Sequence, residues 1–212
     1  MLSFIQVTKK PYLEKISFKI KRNEIAIIHN ENHILLQLLL DLITGKTQPE
    51  RGTIRLLNNY KTGDKILSNE IGIVFKESLL LDNRTLLDNF KFIIDIAGLN
   101  RSYFAARIRK ILKLVNLKAC KNLTPDKLLI HQKKQADIAA ALLPYPSLLI
   151  LDNPFMGIDE INSRGIYHLL EKLNTLGITV LILNSENNFL IKKSKQKRII
   201  YLQKGEISNY NL

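Results

Sequence analysis

The 212-residue sequence has a single cysteine, Cys120, which excludes an internal disulfide and fits a reducing compartment. It has no apolar run approaching the roughly 20 residues needed to cross a bilayer. The opening stretch MLSFIQVTKK puts its charges after a very short apolar run and makes a poor signal peptide. A soluble protein, docked on a membrane partner if it meets a membrane at all, is the expectation. Acids are scarce: 19 Asp and Glu stand against 32 Lys and Arg, a formal charge of +13. Such an excess suits an anionic partner, either nucleic acid or acidic lipid. The bases are scattered, however, apart from KKSKQKR at 192–198, and no aromatic-interleaved basic motif accompanies them. Nucleic acid is therefore not the expected partner. His33, His131 and His168 have no ligand spacing between them, and no transition-metal site is assigned.

One glycine is also missing. Gly45-Lys46-Thr47 looks like the end of a phosphate-binding loop, G-x-x-x-x-G-K-[ST]. The place five before Gly45 is Leu40, inside the helical-looking run HILLQLLLDLI. A phosphate loop follows a strand and opens a helix, so that the helix N-terminus meets the anion. Gly45 instead follows a helix pattern and precedes Pro49, which predicts a helix stop.

The sequence is 46% hydrophobic, enough for one large domain or two small lobes sharing a core. EIAIIH (24–29), GTIRLL (52–57), IGIVF (71–75), SLLILD (147–152), ITVLIL (178–183) and RIIYLQ (198–203) read as strands. HILLQLLLDLI is apolar almost all round and reads as a buried helix. From Thr85 to about Leu143 the spacing turns helical, in YFAARIRKILKLVNL and QADIAAALL. NSRGIYHLLEKLNTLG is an amphipathic helix ending at Gly177. Apolar strands alternating with helices argue a mainly parallel sheet covered on both faces, with a helical insertion between two α/β segments. No repeat, low-complexity tract or linker appears, so the two lobes are expected to be rigidly joined.

LLILDNPFMGID (148–159) carries the strongest signal. An apolar strand ending in Asp, then a polar residue, Pro and a turn closing on Asp resembles the Walker B and D-loop of ATP-binding-cassette (ABC) ATPases. LEKISFKIKRNEIAII resembles the opening strands of that domain, LITGKTQPERGTIRL the segment after its phosphate loop, IGIVFKESLLLDNRTLLDNF its Q-loop and entry to the helical subdomain, and RIIYLQKGEI its closing hairpin. The resemblance covers nearly the whole chain. LLLDNRTLLDNF and KRIIYLQKGEI are similar to the cell-division FtsE type, GITVLIL and the PF-G-D turn to the lipid-transport Mla type. It implies an α/β P-loop NTPase fold: a mainly parallel sheet core over 1–84 and 144–212, an N-terminal antiparallel β subdomain, and a helical subdomain at 85–143. It also implies ATP and Mg²⁺ as cofactors, a permease or FtsX-like membrane subunit as partner, pairing with itself or with another ABC ATPase, and a place on the inner face of the cell membrane.

Matched residue by residue, the family's chemistry is largely replaced. The phosphate loop falls on Asn30, Glu31, Asn32, His33, Ile34, Leu35, Leu36 and Gln37. Both glycines become Asn30 and Leu35, the lysine becomes Leu36, and the magnesium-binding hydroxyl becomes Gln37. Glycines serve there because several backbone N–H groups must turn toward one anion. The Q-loop glutamine becomes Lys76. The carboxylate that handles the attacking water becomes Asn153, and an amide cannot take a proton. The switch histidine becomes Ser185. The signature L-S-G-G-Q falls on Leu128, Leu129, Ile130, His131 and Gln132. The adenine-stacking aromatic has no clear counterpart, Tyr12 being nearest. Asp152 stays at the magnesium position and Asp159 at the D-loop, though either also suits a strand end or turn. One carboxylate without a hydroxyl and phosphate partners makes a poor Mg²⁺ site.

The resemblance thus implies a degenerate nucleotide-binding-domain subunit. Its membrane partner would dock in a groove lined by Lys76, Glu77, Leu79, Leu80, Leu81 and Asp82. Two other readings stand beside it: a working ATPase with unusual ligands, in which Lys76 or another lysine replaces the phosphate-loop lysine, and a basic nucleic-acid-binding protein.

Overall fold

The two sheets differ in how their strands are written. In β1 (Leu2–Lys9) and β2 (Leu13–Ile20) buried and exposed positions interleave, and the two pair as an antiparallel hairpin. In β7 (Leu148–Asp152) and β8 (Thr179–Asn184) every residue is buried. Continuous apolar strands of that kind need cover on both faces, which parallel sheets obtain from their crossover helices. The computed structural model, which describes residues 1–57, 60–61, 69–100, 104–186, 198–203 and 205–209, provides that cover. Most of the basic cluster KKSKQKR lies outside the described residues.

The first sheet has the order β2-β1-β4-β5, with β4 at Arg51–Leu56 and β5 at Tyr60–Lys61, antiparallel throughout. Gly52 sits in β4 at φ +88, beside a register shift against β1. A Cβ there would lie 2.3 Å from the Gln6 carbonyl oxygen, so the two backbones meet only because the residue is glycine. The second sheet has the order β10-β9-β3-β8-β7-β6, where β3 is Ile25–His29, β6 Ile71–Val74, β9 Arg198–Gln203 and β10 Glu206–Asn209. Strands β9, β3, β8, β7 and β6 run parallel, and β10 closes the edge as an antiparallel hairpin with β9.

Alternation along these strands builds two cores. Ile27, Val74, Leu149, Leu151, Val180 and Ile182 point to one face. There they join apolar side chains of α2 (Leu86–Ile96), α3 (Phe104–Leu114), α4 (Ile130–Leu142) and α5 (Glu160–Thr175). Ala26, Ile28, Leu148, Ile150, Leu181 and Leu183 point to the other face, against α1 (His33–Thr44) and the first sheet. The architecture is therefore α/β: a mainly parallel sheet, an N-terminal antiparallel sheet, and helices inserted between β6 and β7. Gly45 does end α1, in the left-handed conformation at φ 76. Helix α5 begins earlier than the amphipathic pattern suggests, because Asp159 caps it by accepting from the Asn162 N–H at 3.0 Å. No helix among the described residues is long and apolar enough to cross a membrane.

Candidate functional site

In parallel α/β sheets, ligands sit beyond the carboxyl ends of the strands. Here β3 ends at His29, β7 at Asp152 and β8 at Asn184, and a depression of about 460 Å³ opens beside them. Tyr12, His33, Ile34, Gln37, Leu38, Asp41, Lys76, Asp152 and Asn153 line it. The structure thus brings together Lys76, Asp152, Asn153 and part of the phosphate-loop segment. It does not bring Leu128–Gln132 into this wall.

The phosphate-loop segment is a short turn followed by ordinary helix. Only Asn30, Glu31 and Asn32 separate β3 from α1, and His33 to Gln37 are already helical. The turn is closed by its own side chains. Asn30 Oδ1 accepts from the Asn32 N–H at 2.6 Å, and Asn32 Oδ1 accepts from the Ile34 N–H at 2.9 Å. The N–H groups of Leu35 and Leu36 donate to the Asn32 carbonyl at 3.1 and 3.3 Å. Asn30 is in turn anchored on the sheet, its Nδ2 donating to the Leu202 carbonyl. Two of these, the Ile34 and Leu35 N–H groups, are orphan donors of a helix start that an anion would otherwise receive, and Asn32 accepts both through its side chain and its carbonyl, while the Leu36 N–H makes the first ordinary helical bond. Leu35 and Leu36 point into the core, Leu36 being 0% exposed, because the helix phase here is set by the apolar positions 35, 36, 39, 40, 42 and 43.

The positions matched to the metal carboxylate, the general base and the switch residue do meet. Asn153 Nδ2 donates to Asp152 Oδ1 at 2.8 Å, and Asn153 Oδ1 accepts from both the Ser185 N–H and its hydroxyl at 2.8 and 2.7 Å. All three residues are buried, and Asn153 holds φ 45, a left-handed conformation that asparagine tolerates. Nearby, burial holds the His29 imidazole below its ordinary pKa, and its ring lies edge-on to Tyr201 at 5.6 Å. Asp159 serves as a helix cap, and its hydrogen bonds from Asn162 hold its carboxyl below the ordinary range. Leu129 and Ile130 start α4 as exposed side chains (61% and 65%), with Gln132 reaching back to the Leu129 N–H at 3.1 Å.

A second depression, a groove of about 370 Å³, lies on the other side of the end of β6. Phe75, Glu77, Leu79, Leu80 and Leu81 form one wall, Phe92, Ile93 and Ile96 of α2 another, and Ala140, Ala141 and Pro144 the third. This corrects the expected lining in two places. Lys76 lines the first depression, whereas Phe75 and Glu77 on either side of it line the groove. Asp82 lies outside the lining and pairs with Lys133 at 3.3 Å. The three leucines divide: Leu80 is core at 8% exposure, whereas Leu79 (72%) and Leu81 (38%) face solvent.

Sequence reasoning missed what fixes this wall. Lys134 and Asp137, three apart on α4, are both 8% exposed at the side chain and lie 3.7 Å apart. Lys134 Nζ donates to the carbonyls of Phe75 and Lys76, each at 2.9 Å, and Ser78 Oγ donates to Asp137 Oδ1 at 2.5 Å. Burial pushes the Lys134 ammonium pKa down and the Asp137 carboxyl pKa up. Asn89 pins the next stretch, accepting from the Leu81 N–H and donating to the carbonyls of Leu81, Arg84 and Thr85. The available signal was a Lys and an Asp at i, i+3 inside an otherwise alanine-rich helix, on its buried face.

Residues 13–156 match the family model described as ABC transporter. The chain is 31% identical over 194 residues to the methionine import ATP-binding protein MetN 2 of Shouchella clausii, covering 87% of this chain and 57% of that protein. It is 27% identical over 218 residues to the cell division ATP-binding protein FtsE of Mycobacterium tuberculosis, covering 98% of this chain and 94% of that one. Among solved structures, the dimeric bacterial ABC transporter cassette MJ0796 superposes with a TM-score of 0.81 at 26% identity, covering 99% of this chain and 97% of that one. The chain spans less than two thirds of the methionine-import relative and nearly all of the cell-division one.

Proposed function

This chain belongs to the ABC transporter family, and we propose that it is a cassette subunit of weak or absent ATP binding and hydrolysis. In this reading it acts as the structural half of a membrane transporter or of an FtsE-like cell-envelope complex. The observation that carries the reading is the helix start at α1. Its N–H groups are bonded to Asn30 and Asn32, and a fully buried Leu36 stands where the family places its phosphate lysine. A triphosphate would have to displace those bonds and would meet no cation from the loop. The residues at the phosphate position therefore do not fit the nucleotide. The Asp152–Asn153–Ser185 chain supports the same reading. An amide stands where a general base is needed, and its oxygen is already bonded twice.

The protein then works through its partner surface, with the groove beside Glu77 and Leu79 receiving an integral-membrane permease or FtsX-like subunit. The chain sits peripherally on the inner face of the cell membrane and pairs with a second cassette, its own copy or an active one. Residues 85–143 form the helical part of one cassette domain, with 1–84 and 144–212 as its core. Calorimetry with millimolar Mg-ATP tests the proposal: little heat is expected, and a dissociation constant in the micromolar range or tighter overturns it. Asn153→Glu should add no turnover, because a base acts only on a positioned phosphoryl group.

One observation favours a second reading, an ATPase with unusual ligands: Lys76 lines the same depression as Asp152 and Tyr12. ATP hydrolysis by the purified protein, abolished by Asp152→Ala and by Lys76→Ala, would establish it.

A further inference from the structure

Scattered along the sequence, the bases gather in the fold. Between Ala97 and Ala136 the chain carries ten Lys and Arg and one acid, Asp126. Helix α3 holds the centre of this charge. Ile108, Ile111 and Leu112 turn into the core that α3 shares with α2 and α4. Arg109, Lys110 and Lys113 take the opposite side with Ala105 and Ala106, all exposed. The turn that follows adds Lys118 and Lys121, also exposed. Among the described residues, none of these five basic side chains has an ion pair or a hydrogen bond. The acids nearby are engaged elsewhere: Asp88 of α2 with Lys91 at 3.1 Å, Asp95 with a partner of its own, and Asp126 with Lys127 and Lys133. Residues 105–121 contain no aromatic on which a nucleobase could stack.

We infer that this face of α3 and the turn after it rests on the anionic headgroups of a lipid bilayer. The inference depends on the docking reading above for where the membrane lies. Helix α2 puts Phe92, Ile93 and Ile96 into the groove wall, while its Phe90 and Ile94 join the core shared with α3. The basic face therefore begins one helix away from the place assigned to the membrane subunit. A plane of headgroups suits unpaired cations on long stems, because each contributes separately and no single geometry is demanded. The contact is electrostatic rather than inserted, since the apolar side of α3 is already committed to the core.

Cosedimentation of the full-length protein tests this with vesicles of phosphatidylcholine containing about 30% phosphatidylglycerol, and with phosphatidylcholine alone. Binding is expected to the first and not to the second, and should fall away at about 0.5 M salt. The triple variant Arg109→Gln/Lys110→Gln/Lys113→Gln keeps helix propensity and should melt with the parent. It should bind the anionic vesicles roughly a hundredfold less tightly, and the single variant Lys113→Gln about fivefold less. A control removes equal charge from exposed positions of the first sheet, Lys15→Gln/Lys19→Gln/Arg55→Gln, and should weaken binding about threefold at most. Equal weakening by the two triples overturns the inference, because net charge rather than α3 would then hold the vesicles. No binding to the anionic vesicles, or binding that the α3 triple leaves unchanged, overturns it as well. The vesicles hold no other protein, so such a failure leaves docking in the groove standing. A labelled DNA duplex of about 20 base pairs tests the competing polyanion. Duplex binding that the α3 triple abolishes, with vesicle binding unchanged, assigns the face to nucleic acid and overturns the inference.

Discussion

At the carboxyl ends of β3 and β7 several polar side chains are bonded to one another, whereas in the groove beside β6 large apolar side chains face solvent on a wall held by buried polar groups. In the first region Asn32 caps the helix, Asn30 accepts from the Asn32 N–H, and Asn153 joins Asp152 to Ser185. The second spends its polar groups behind the surface, where Lys134, Asp137, Ser78 and Asn89 hold segment 75–85, and leaves apolar area free in front. The two regions differ in where their hydrogen-bonded polar groups stand: in the first they meet one another at the strand ends, in the second they lie behind an exposed apolar face.

The sharpest way to break the comparison is to place a charge in each region. Leu36→Lys and Leu80→Glu each bury an unpaired charge and are expected to lose roughly 3–5 kcal/mol in urea titrations, while Leu79→Glu changes stability by no more than about 0.5 kcal/mol. Leu36→Lys should also gain no ATP affinity in calorimetry, since its side chain position is inside the core. A folded Leu36→Lys protein that binds nucleotide would show the first region to be a site in waiting.

Removing the post behind the groove comes next. Lys134→Met leaves Asp137 buried without its cation and should cost roughly 3 kcal/mol, most of it recovered in the double variant Lys134→Met/Asp137→Ala, because an apolar pair tolerates burial. Equal stability of the single and double variants would remove the ion pair from the account. On the nucleotide side, Asn32→Ala deletes the cap on α1 and should cost about 1 kcal/mol, read as a lower melting temperature. The smallest effect is a pH dependence. Burial raises the Asp137 pKa above the ordinary 3.8, so the native state holds this proton more tightly than the unfolded chain. Stability from this group is present below 3.8 and falls as pH rises through the raised value. Acidification from neutral pH should therefore shift relative stability toward the parent over Asp137→Asn, measured as the difference between their urea curves.

Much of the fold is legible because its signals are local. The uninterrupted apolar runs of β7 and β8 and the stop at Gly45 each follow from a few adjacent residues. The family was legible too, from the order and spacing of segments around Asp152. What the sequence did not yield was long-range pairing. Lys134 reaches carbonyls 58 and 59 residues away, and Ser78 meets Asp137 across 59 residues. No periodicity encodes such contacts. Lys76 illustrates the same limit: it is adjacent to Glu77 in sequence, yet beyond the end of β6 the two line different depressions.

The burial of Leu36 has a consequence on the scale of descent rather than of energy. A chain that gained a lysine there without a turn able to present it would carry that charge inside α1's packed face, at a cost in stability and with no gain in anion binding. On the reading proposed above, nucleotide binding would need Asn30, Asn32, Leu35 and Leu36 to change together, so that α1 would act as a gate that single substitutions do not open.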